Sequence, residues 1–210
     1  MSALRYVYAV CRPFRSALQA QLTGVAGQPP RQLTHHGLIA VYSTVPEANF
    51  TEKALRDRLE DLARAHHGVV DALTAVTTPL PLPLATVFRD DSALRTMMES
   101  RETYFRDALD RLEGRVEWGV KAVHVEPGEN ARHGAAEFAG KLHAALSSLA
   151  EDFRLHEPAG RRVLDAAYLV PREDSEEFVE EVDRAKAGAP EVRVELTGPW
   201  AAYSFTGAER

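Results

Sequence analysis

The sequence predicts an α+β protein of two domains, residues 1–114 and 115–210, the second with a modified ferredoxin-like fold. Apolar residues recur at alternating spacings of four and three over residues 55–76, which is typical of an amphipathic helix. Apolar and other residues alternate over 115–125, which is typical of a strand. From residue 115 the predicted order is strand, helix, strand, helix, strand, strand, a ferredoxin-like pattern with altered connections.

The first domain opens with two predicted strands. Residues 4–11 are rich in aromatic and β-branched side chains and stop before Arg12-Pro13, and residues 37–46 are almost wholly apolar and end at Pro46. A helix follows from Thr51, with Asn49 and Glu52 as its expected cap. Its apolar stripe consists of Leu55, Leu59, Leu62, His66, Val69, Leu73 and Val76.

A proline-rich segment, Pro79-Leu80-Pro81-Leu82-Pro83, separates that helix from the next. Each proline fixes its own φ and turns the preceding residue away from helix, so the segment must be extended. Prolines two residues apart leave one edge without N–H donors, which predicts an edge strand or a rim. A second helix is predicted from Asp91 to about Leu112.

In the second domain, the strand over 115–125 is expected to place Val116, Trp118 and Val120 on one face. A helix follows, with an apolar stripe of Phe138, Leu142, Ala145, Leu149 and Phe153. Then come a strand over 163–170, a short helix with a capping box of Asp174 and Glu177, and a strand over 192–196. Gly198-Pro199 turns the chain into a last extended segment, 200–205.

Composition and charge exclude several classes of protein. The 210 residues carry a net charge of -6, which argues against nucleic acid as a partner. The single cysteine, Cys11, rules out an internal disulfide and a cysteine-based zinc site. The longest uncharged run, 72–88, contains three prolines and is shorter than the ~20 apolar residues of a membrane span. We therefore expect a cytoplasmic protein without membrane contact.

No catalytic motif stands out. The nearest match to a phosphate-binding loop, Gly134 to Gly140-Lys141, has the wrong spacing and lies in a predicted helix, and His156-Glu157 lacks the second histidine of a zinc-protease motif. Dinucleotide-binding and hydrolase glycine motifs are absent from the sequence. We expect no catalytic residue, cofactor or metal. His66 lies on an apolar stripe, where a buried histidine bonded to a backbone carbonyl is the simpler interpretation than a functional one.

A set of local motifs, in order along nearly the whole chain, carries more information. They are Tyr6-Val7-Tyr8-Ala9-Val10, Ala65-His66 with Val69-Val70, Leu80-Pro81-Leu82 with Thr86-Val87-Phe88, Glu117-Trp118-Gly119-Val120-Lys121, Ala167-Tyr168-Leu169-Val170, and Thr197-Gly198-Pro199-Trp200 with Tyr203-Ser204-Phe205. Together they resemble the gas vesicle protein family that contains GvpF and GvpL. The last motif is the most specific and the Glu-Trp-Gly-Val-Lys motif is the next.

The chain departs from the family pattern at two places. Where the family usually has Arg, Phe and Gly, this sequence has Pro83, Leu84 and Ala85. The family's two prolines between Trp and Tyr are replaced by Ala201-Ala202. Any partner contact that the family's charge or glycine makes at the first place is in doubt here.

The resemblance implies a protein without enzymatic activity. Family members are accessory or minor components of gas vesicles, thought to bind the main shell protein and other accessory proteins during initiation and assembly, and the family fold is two α+β domains. The expected location is the gas vesicle, after a cytoplasmic stage. The alternative is a ferredoxin-like ligand sensor or enzyme, because that fold hosts many activities, and a deep pocket with converging polar groups would favour it.

Two groups of residues are candidates for the partner contact. Leu80, Leu82 and Leu84 would form a rigid apolar face if their segment is extended; alternatively, they cover the core of their own domain. Trp200 and Tyr203 are either core or partly contact surface, since both residue types are favoured at interfaces. The acidic run from Glu173 to Asp183 is either a solvated helix face or a docking surface that steers a basic partner.

Overall fold

The computed structural model describes residues 2–14, 22–125, 129–189 and 191–207. The α+β class is confirmed: helices and antiparallel sheets occur throughout. The chain divides into two compact units, Met1–Glu113 and Gly114–Arg210. Within the described residues, none of the helices has the length and apolarity needed to cross a membrane.

The first unit contains an antiparallel sheet in the order β2-β3-β1-β4, and the short strand β5 also pairs with β1. Its strands and helices are β1 (Ala3–Cys11), β2 (Arg31–His35), β3 (Leu38–Pro46), α1 (Glu52–Asp57), α2 (Leu59–Thr74), β4 (Leu80–Pro81), β5 (Val87–Phe88), α3 (Asp91–Ser100) and α4 (Glu102–Leu112). Strand β1 has partners on both sides, and its Tyr6, Val7 and Tyr8 are fully buried.

Strand β2 was not predicted from the sequence. It joins β3 through the turn His36-Gly37, in which both residues have positive φ, +48° and +74°. Two left-handed residues match the twist of a two-residue hairpin. Glu102 and Arg106 hold the turn from α4: Glu102 bonds the His36 imidazole at 2.8 Å, and Arg106 donates to the His36 carbonyl oxygen.

Each of the two long helices predicted in this unit is divided. The first breaks at Arg58 and the second at Arg101, where φ is near -120° and ψ near +18°. The predicted cap at Asn49 is wrong: the Thr51 side chain accepts the bond from the Ala54 N–H. Of the predicted apolar stripe, Leu62, His66, Val69 and Leu73 are buried, whereas Leu59 and Val76 are exposed.

The second unit has the element order strand, helix, strand, strand, helix, strand, with the sheet order β7-β8-β6-β9, which is the ferredoxin-like arrangement. Its elements are β6 (Arg115–His124), α5 (Glu129–Ser148), β7 (Asp152–Leu155), β8 (Arg162–Pro171), α6 (Ser175–Gly188) and β9 (Val192–Trp200). The sequence prediction missed β7 and assigned its Phe153 to the preceding helix. The turn predicted at Gly198-Pro199 is wrong, because β9 continues through both residues to Trp200. The segment after Trp200 contains a 3-10 turn, Tyr203–Phe205, rather than a strand.

Helices α5 and α6 pack on one face of this sheet. Val116, Trp118 and Val120 all lie in the core on that face, as predicted. The Trp118 ring stacks on Phe178 of α6 at 6.3 Å, and its Nε1–H donates to Ser175 Oγ at 3.3 Å. The predicted capping box is not formed, because the Asp174 side chain makes no cap hydrogen bond.

Candidate partner-binding surface

The proline-rich segment lies at the edge of the first unit's sheet. Strand β4 pairs with β1, and the Leu82 N–H donates to the Tyr8 carbonyl oxygen at 2.9 Å. This pairing turns Leu80 and Leu82 into the core, where they are 0% and 6% exposed. Leu84 is 38% exposed. Of the three candidate leucines, only Leu84 is therefore available to a partner in this structure.

Leu84 is presented by a tight turn from Pro83 to Thr86. The Thr86 N–H and side chain both donate to the Pro83 carbonyl oxygen, at 3.3 and 2.6 Å. Ala85 occupies the third position of the turn with φ +62°, a conformation that glycine adopts without steric cost. The resemblance to the family predicts glycine at this position, and glycine would adopt the same φ without the strain that Ala85 carries.

The C-terminal motif folds over the other face of the second unit's sheet. Glu117 alternates with the core-facing Val116 and Trp118, so its side chain lies on the face opposite the helices. There it accepts hydrogen bonds from the backbone N–H and the hydroxyl of Ser204, both at 2.8 Å. Phe205 is buried beside them, with the Arg154 guanidinium 5.1 Å from its ring centre.

The two aromatic candidates, Trp200 and Tyr203, differ in how much of the side chain is exposed. Trp200, at the end of β9, is 42% exposed and pairs with Glu117 through its backbone. Tyr203 begins the 3-10 turn and is only partly exposed. Trp200 is therefore the larger apolar surface available to a partner at this end of the unit.

The two most specific motifs of the sequence fit each other across the strands β6 and β9. A Cβ added to Gly119 would lie 2.6 Å from Thr197 Oγ1. One added to Gly198, where φ is +126°, would lie 2.8 Å from the Glu117 carbonyl oxygen. The pairing of the strands is irregular between Glu117 and Gly119, at the level of Gly198. These glycines let the backbones approach closely and so fix the position of Trp200.

Several titratable groups are buried for structural reasons. Burial raises the pKa of Glu117, and the two Ser204 hydrogen bonds partly oppose that rise. His66 is fully buried, and its Nδ1 lies 2.8 Å from the Tyr6 hydroxyl. Burial, with a smaller effect of His67, lowers the pKa of His66 to about 4. The imidazole is thus neutral near pH 7.

Tyr8 anchors the connection that precedes β2. Its hydroxyl accepts from the Val25 N–H and donates to Ser43 Oγ, both at 2.8 Å. The Ser43 hydroxyl in turn donates to the Gln28 carbonyl oxygen at 3.2 Å. Gly24 is required here because an added Cβ would lie 2.2 Å from the Tyr8 hydroxyl. These groups satisfy each other internally, which indicates a structural network.

Two clefts lie in separate units. One, of about 270 Å³, is lined by residues such as Val25, Phe50 and Leu62; the other, of about 290 Å³, is lined by residues such as His143 and Leu155. Among the described residues, the groups with raised or lowered pKa lie outside both linings, and no three potential metal ligands come together. What the surface offers instead is exposed apolar side chains.

Some of these exposed side chains were not singled out from the sequence. They are Leu59 and Val76 in the first unit, and Val125, Phe153 and Leu155 in the second. Leu59 and Val76 follow the spacing of buried neighbours, and Phe153 and Leu155 lie on a strand that the sequence did not reveal. Burial at these positions depends on which neighbours cover them, and local periodicity does not report that.

Fold and surface together define a two-unit α+β protein with large exposed apolar side chains in both units. The family model described as "Gas vesicle synthesis protein GvpL/GvpF" matches residues 4–137 and 128–207, and the chain belongs to this family. It is 46% identical to gas vesicle protein L of Streptomyces sp. (strain CB03234), over 97% of this chain and 93% of that protein. It is 25% identical to gas vesicle protein F of the same organism, over 95% of this chain and 98% of that protein.

Solved structures show the same fold. The gas vesicle protein GvpF from Anabaena sp. PCC7120 superposes with a TM-score of 0.82 at 18% identity, covering 100% of this chain and 98% of that one. GvpF from Microcystis aeruginosa gives 0.78 at 17% identity, covering 98% and 99%. The predicted membership of the GvpF/GvpL family is confirmed, and with it an involvement in gas vesicles.

Proposed function

We propose that this chain is an L-type accessory protein of gas vesicles that binds the main shell protein and other accessory proteins during vesicle initiation and assembly, without catalysis. The L-type assignment is supported by 46% identity with a gas vesicle protein L against 25% with a gas vesicle protein F from the same organism. In this proposal the protein is cytoplasmic before it joins the vesicle.

The observation that carries the proposal is the exposure of two large apolar side chains, one within a family motif and one in the turn beside another. Trp200 lies within the most specific motif and remains 42% exposed, although the neighbouring Ala201, Ala202 and Phe205 are buried. Leu84 projects from a turn of the first unit. Tryptophan at an interface contributes a large part of the binding energy, and capture of an apolar shell subunit requires such surfaces.

The test is a pull-down of purified main shell protein, and separately of the other accessory proteins, on the immobilised chain. Trp200→Ser and Leu84→Ser should each reduce capture of the shell protein about tenfold or more, the loss of an apolar anchor at an interface. Val125→Ser and Leu59→Ser are the matched controls, because both parent residues are exposed apolar side chains outside the proposed contacts.

Salt separates apolar capture from electrostatic capture. Helix α6 exposes acidic side chains, including Glu176, Glu177 and Glu180, and these contribute only to steering in this proposal. Raising the salt concentration should slow association and lower the affinity only by that same small factor, because the dissociation rate is set by the apolar contacts. An affinity that falls steeply with salt, and that is indifferent to both serine variants, would show that the acidic helix holds the partner instead.

A further inference from the structure

Strand β7 is an edge strand of the second unit's sheet, and among the residues that the structure describes no strand pairs with its outer side. It pairs with β8, and the His156 N–H bonds to the Asp165 carbonyl oxygen at 2.9 Å. Hydrogen-bonded residues alternate along an antiparallel strand, so Asp152 and Arg154 direct their backbone groups toward β8. Phe153 and Leu155 direct theirs toward the open edge.

The outward backbone groups of Phe153 are hydrogen-bonded by side chains of the same strand. The Phe153 N–H donates to Asp152 Oδ1 at 2.8 Å, and Arg154 Nη1 donates to the Phe153 carbonyl oxygen at 2.8 Å. Arg154 Nη1 also donates to Asp152 Oδ1 at 2.7 Å. The two charged side chains therefore form a clasp over the peptide groups that a further strand would use.

The same edge is apolar on its helix-facing side. Phe153 is 40% exposed and Leu155 56% exposed, although both lie on the face that α5 partly covers. An edge with charged side chains is a common defence against unwanted pairing. Here the charged side chains protect the edge only in part, because the large apolar side chains of Phe153 and Leu155 remain exposed on the same strand.

We propose that β7 is the interface for a second copy of this chain, paired antiparallel with Phe153 at the twofold axis. In this register Phe153 lies opposite Phe153 of the second copy, and the two residues exchange their outward N–H···O bonds. Asp152 lies opposite Arg154 of the second copy, and Arg154 lies opposite Asp152. These charged residues occupy non-hydrogen-bonded pairs, in which opposite side chains come closest.

The strand is thus self-complementary in charge. The clasp within each copy is exchanged for two ion pairs between the copies, and the hydrogen bonds of Phe153 are exchanged one for one. The net gain comes from covering Phe153 and Leu155 across the axis. Because few residues are covered, the dimer should be weak and should form as concentration rises.

The test is sedimentation velocity of the full chain over a range of concentrations. The parent should show a monomer–dimer equilibrium. Asp152→Arg and Arg154→Asp each place like charges opposite each other twice, and each should weaken the dimer about tenfold or more. An equimolar mixture of the two variants should form a heterodimer of parental strength, because each variant then supplies the opposite charge to the other.

A further variant checks the backbone pairing. Phe153→Pro removes an N–H that faces the open edge and leaves the hydrogen bonds to β8 in place, so it should abolish the dimer while circular dichroism stays unchanged. The proposal would be overturned if the parent stayed monomeric at the highest concentration. It would also be overturned if the charge variants dimerised as strongly as the parent and their mixture formed no preferred heterodimer. If a charge variant fails to fold alone, Leu155→Lys at the same edge provides the comparison.

Discussion

Glu117 accepts two hydrogen bonds from Ser204, one from the backbone N–H and one from the hydroxyl, across 87 residues of sequence. The pair joins the first strand of the second unit to the C-terminal turn. Glu117 belongs to the second most specific motif of the family and Ser204 to the first. The pair therefore shows that the two motifs are parts of a single structural feature.

The first prediction concerns Glu117 and pH. Its pKa in the folded protein is raised above the ordinary 4.5 by burial. Its contribution to stability is therefore fully present below pH 4.5 and is lost as the pH rises through the folded pKa. Glu117→Gln, which keeps an acceptor for Ser204 and has no charge, should gain stability relative to the parent as the pH rises above 4.5, measured by urea unfolding. Glu180→Gln, an exposed carboxylate on α6, should show no such trend.

The second prediction concerns His66. Its folded pKa of about 4 lies below the ordinary 6.5, so the neutral form is favoured in the folded state. Its contribution to the free energy of unfolding is fully present above pH 6.5. It is lost as the pH falls toward 4, by about 3 kcal/mol in total. His66→Gln should flatten the decline in unfolding free energy over that range, whereas exposed His133→Gln should leave it unchanged. If the unfolding free energy of His66→Gln declined as steeply as that of the parent, the pKa of His66 would not be lowered in the folded protein.

The third prediction concerns Ala85, which is held at φ +62°. Left-handed backbone costs a non-glycine residue about 1–2 kcal/mol, and glycine recovers most of it. Ala85→Gly should therefore raise the unfolding free energy by about 1 kcal/mol, against a loss of about 1 kcal/mol for Ala144→Gly on the exposed surface of α5. Equal losses in the two variants would show that Ala85 is not strained.

The fourth prediction concerns Trp118, which is 8% exposed and stacked on Phe178. Trp118→Ala should lower the unfolding free energy by about 3–5 kcal/mol, the range for a large buried aromatic residue. Trp200→Ala, at a position that is 42% exposed, should cost less, about 1 kcal/mol. If Trp118→Ala unfolded like the parent but lost shell-protein binding, Trp118 would be a contact residue.

The fifth prediction compares two glycines with positive φ. Gly160 has φ +65° with no atom within 4 Å of an added Cβ, so Gly160→Ala should cost only the backbone strain of about 1–2 kcal/mol. Gly198→Ala adds a contact at 2.8 Å with a carbonyl oxygen that cannot move without its strand. It should therefore lose clearly more stability in the same urea titration, and a loss equal to that of Gly160→Ala would mean that the strands separate freely.

The parts of the fold that sequence predicts are those with a strong local pattern. Residues 115–125 alternate because one face of β6 lies under two helices, and the pattern was sufficient to place Trp118 in the core. Strand β7 has only four residues and no alternation of its own. It is a strand because β8 supplies its hydrogen bonds, and that depends on distant sequence.

The breaks at Arg58 and Arg101 escaped prediction for a related reason. Neither proline nor glycine marks them, and the apolar spacing continues through both. Local sequence also did not show which of the candidate contact residues are buried. Leu80, Leu82 and Leu84 look equivalent in sequence, but pairing of β4 with β1 buries the first two, and the turn at Ala85 leaves the third exposed.

The bond between Glu117 and Ser204 has a consequence for the order in which a newly made chain folds. The sheet of the first unit is assembled from residues 3–88 and is complete in sequence long before residue 204 leaves the ribosome. Strand β9 and the turn that covers the second sheet come last, so the second unit stays unfinished until then. Because units fold as they emerge, we expect the nascent protein to pass through a stage in which the first unit is folded and the sheet face that carries Glu117 is still without its C-terminal cover.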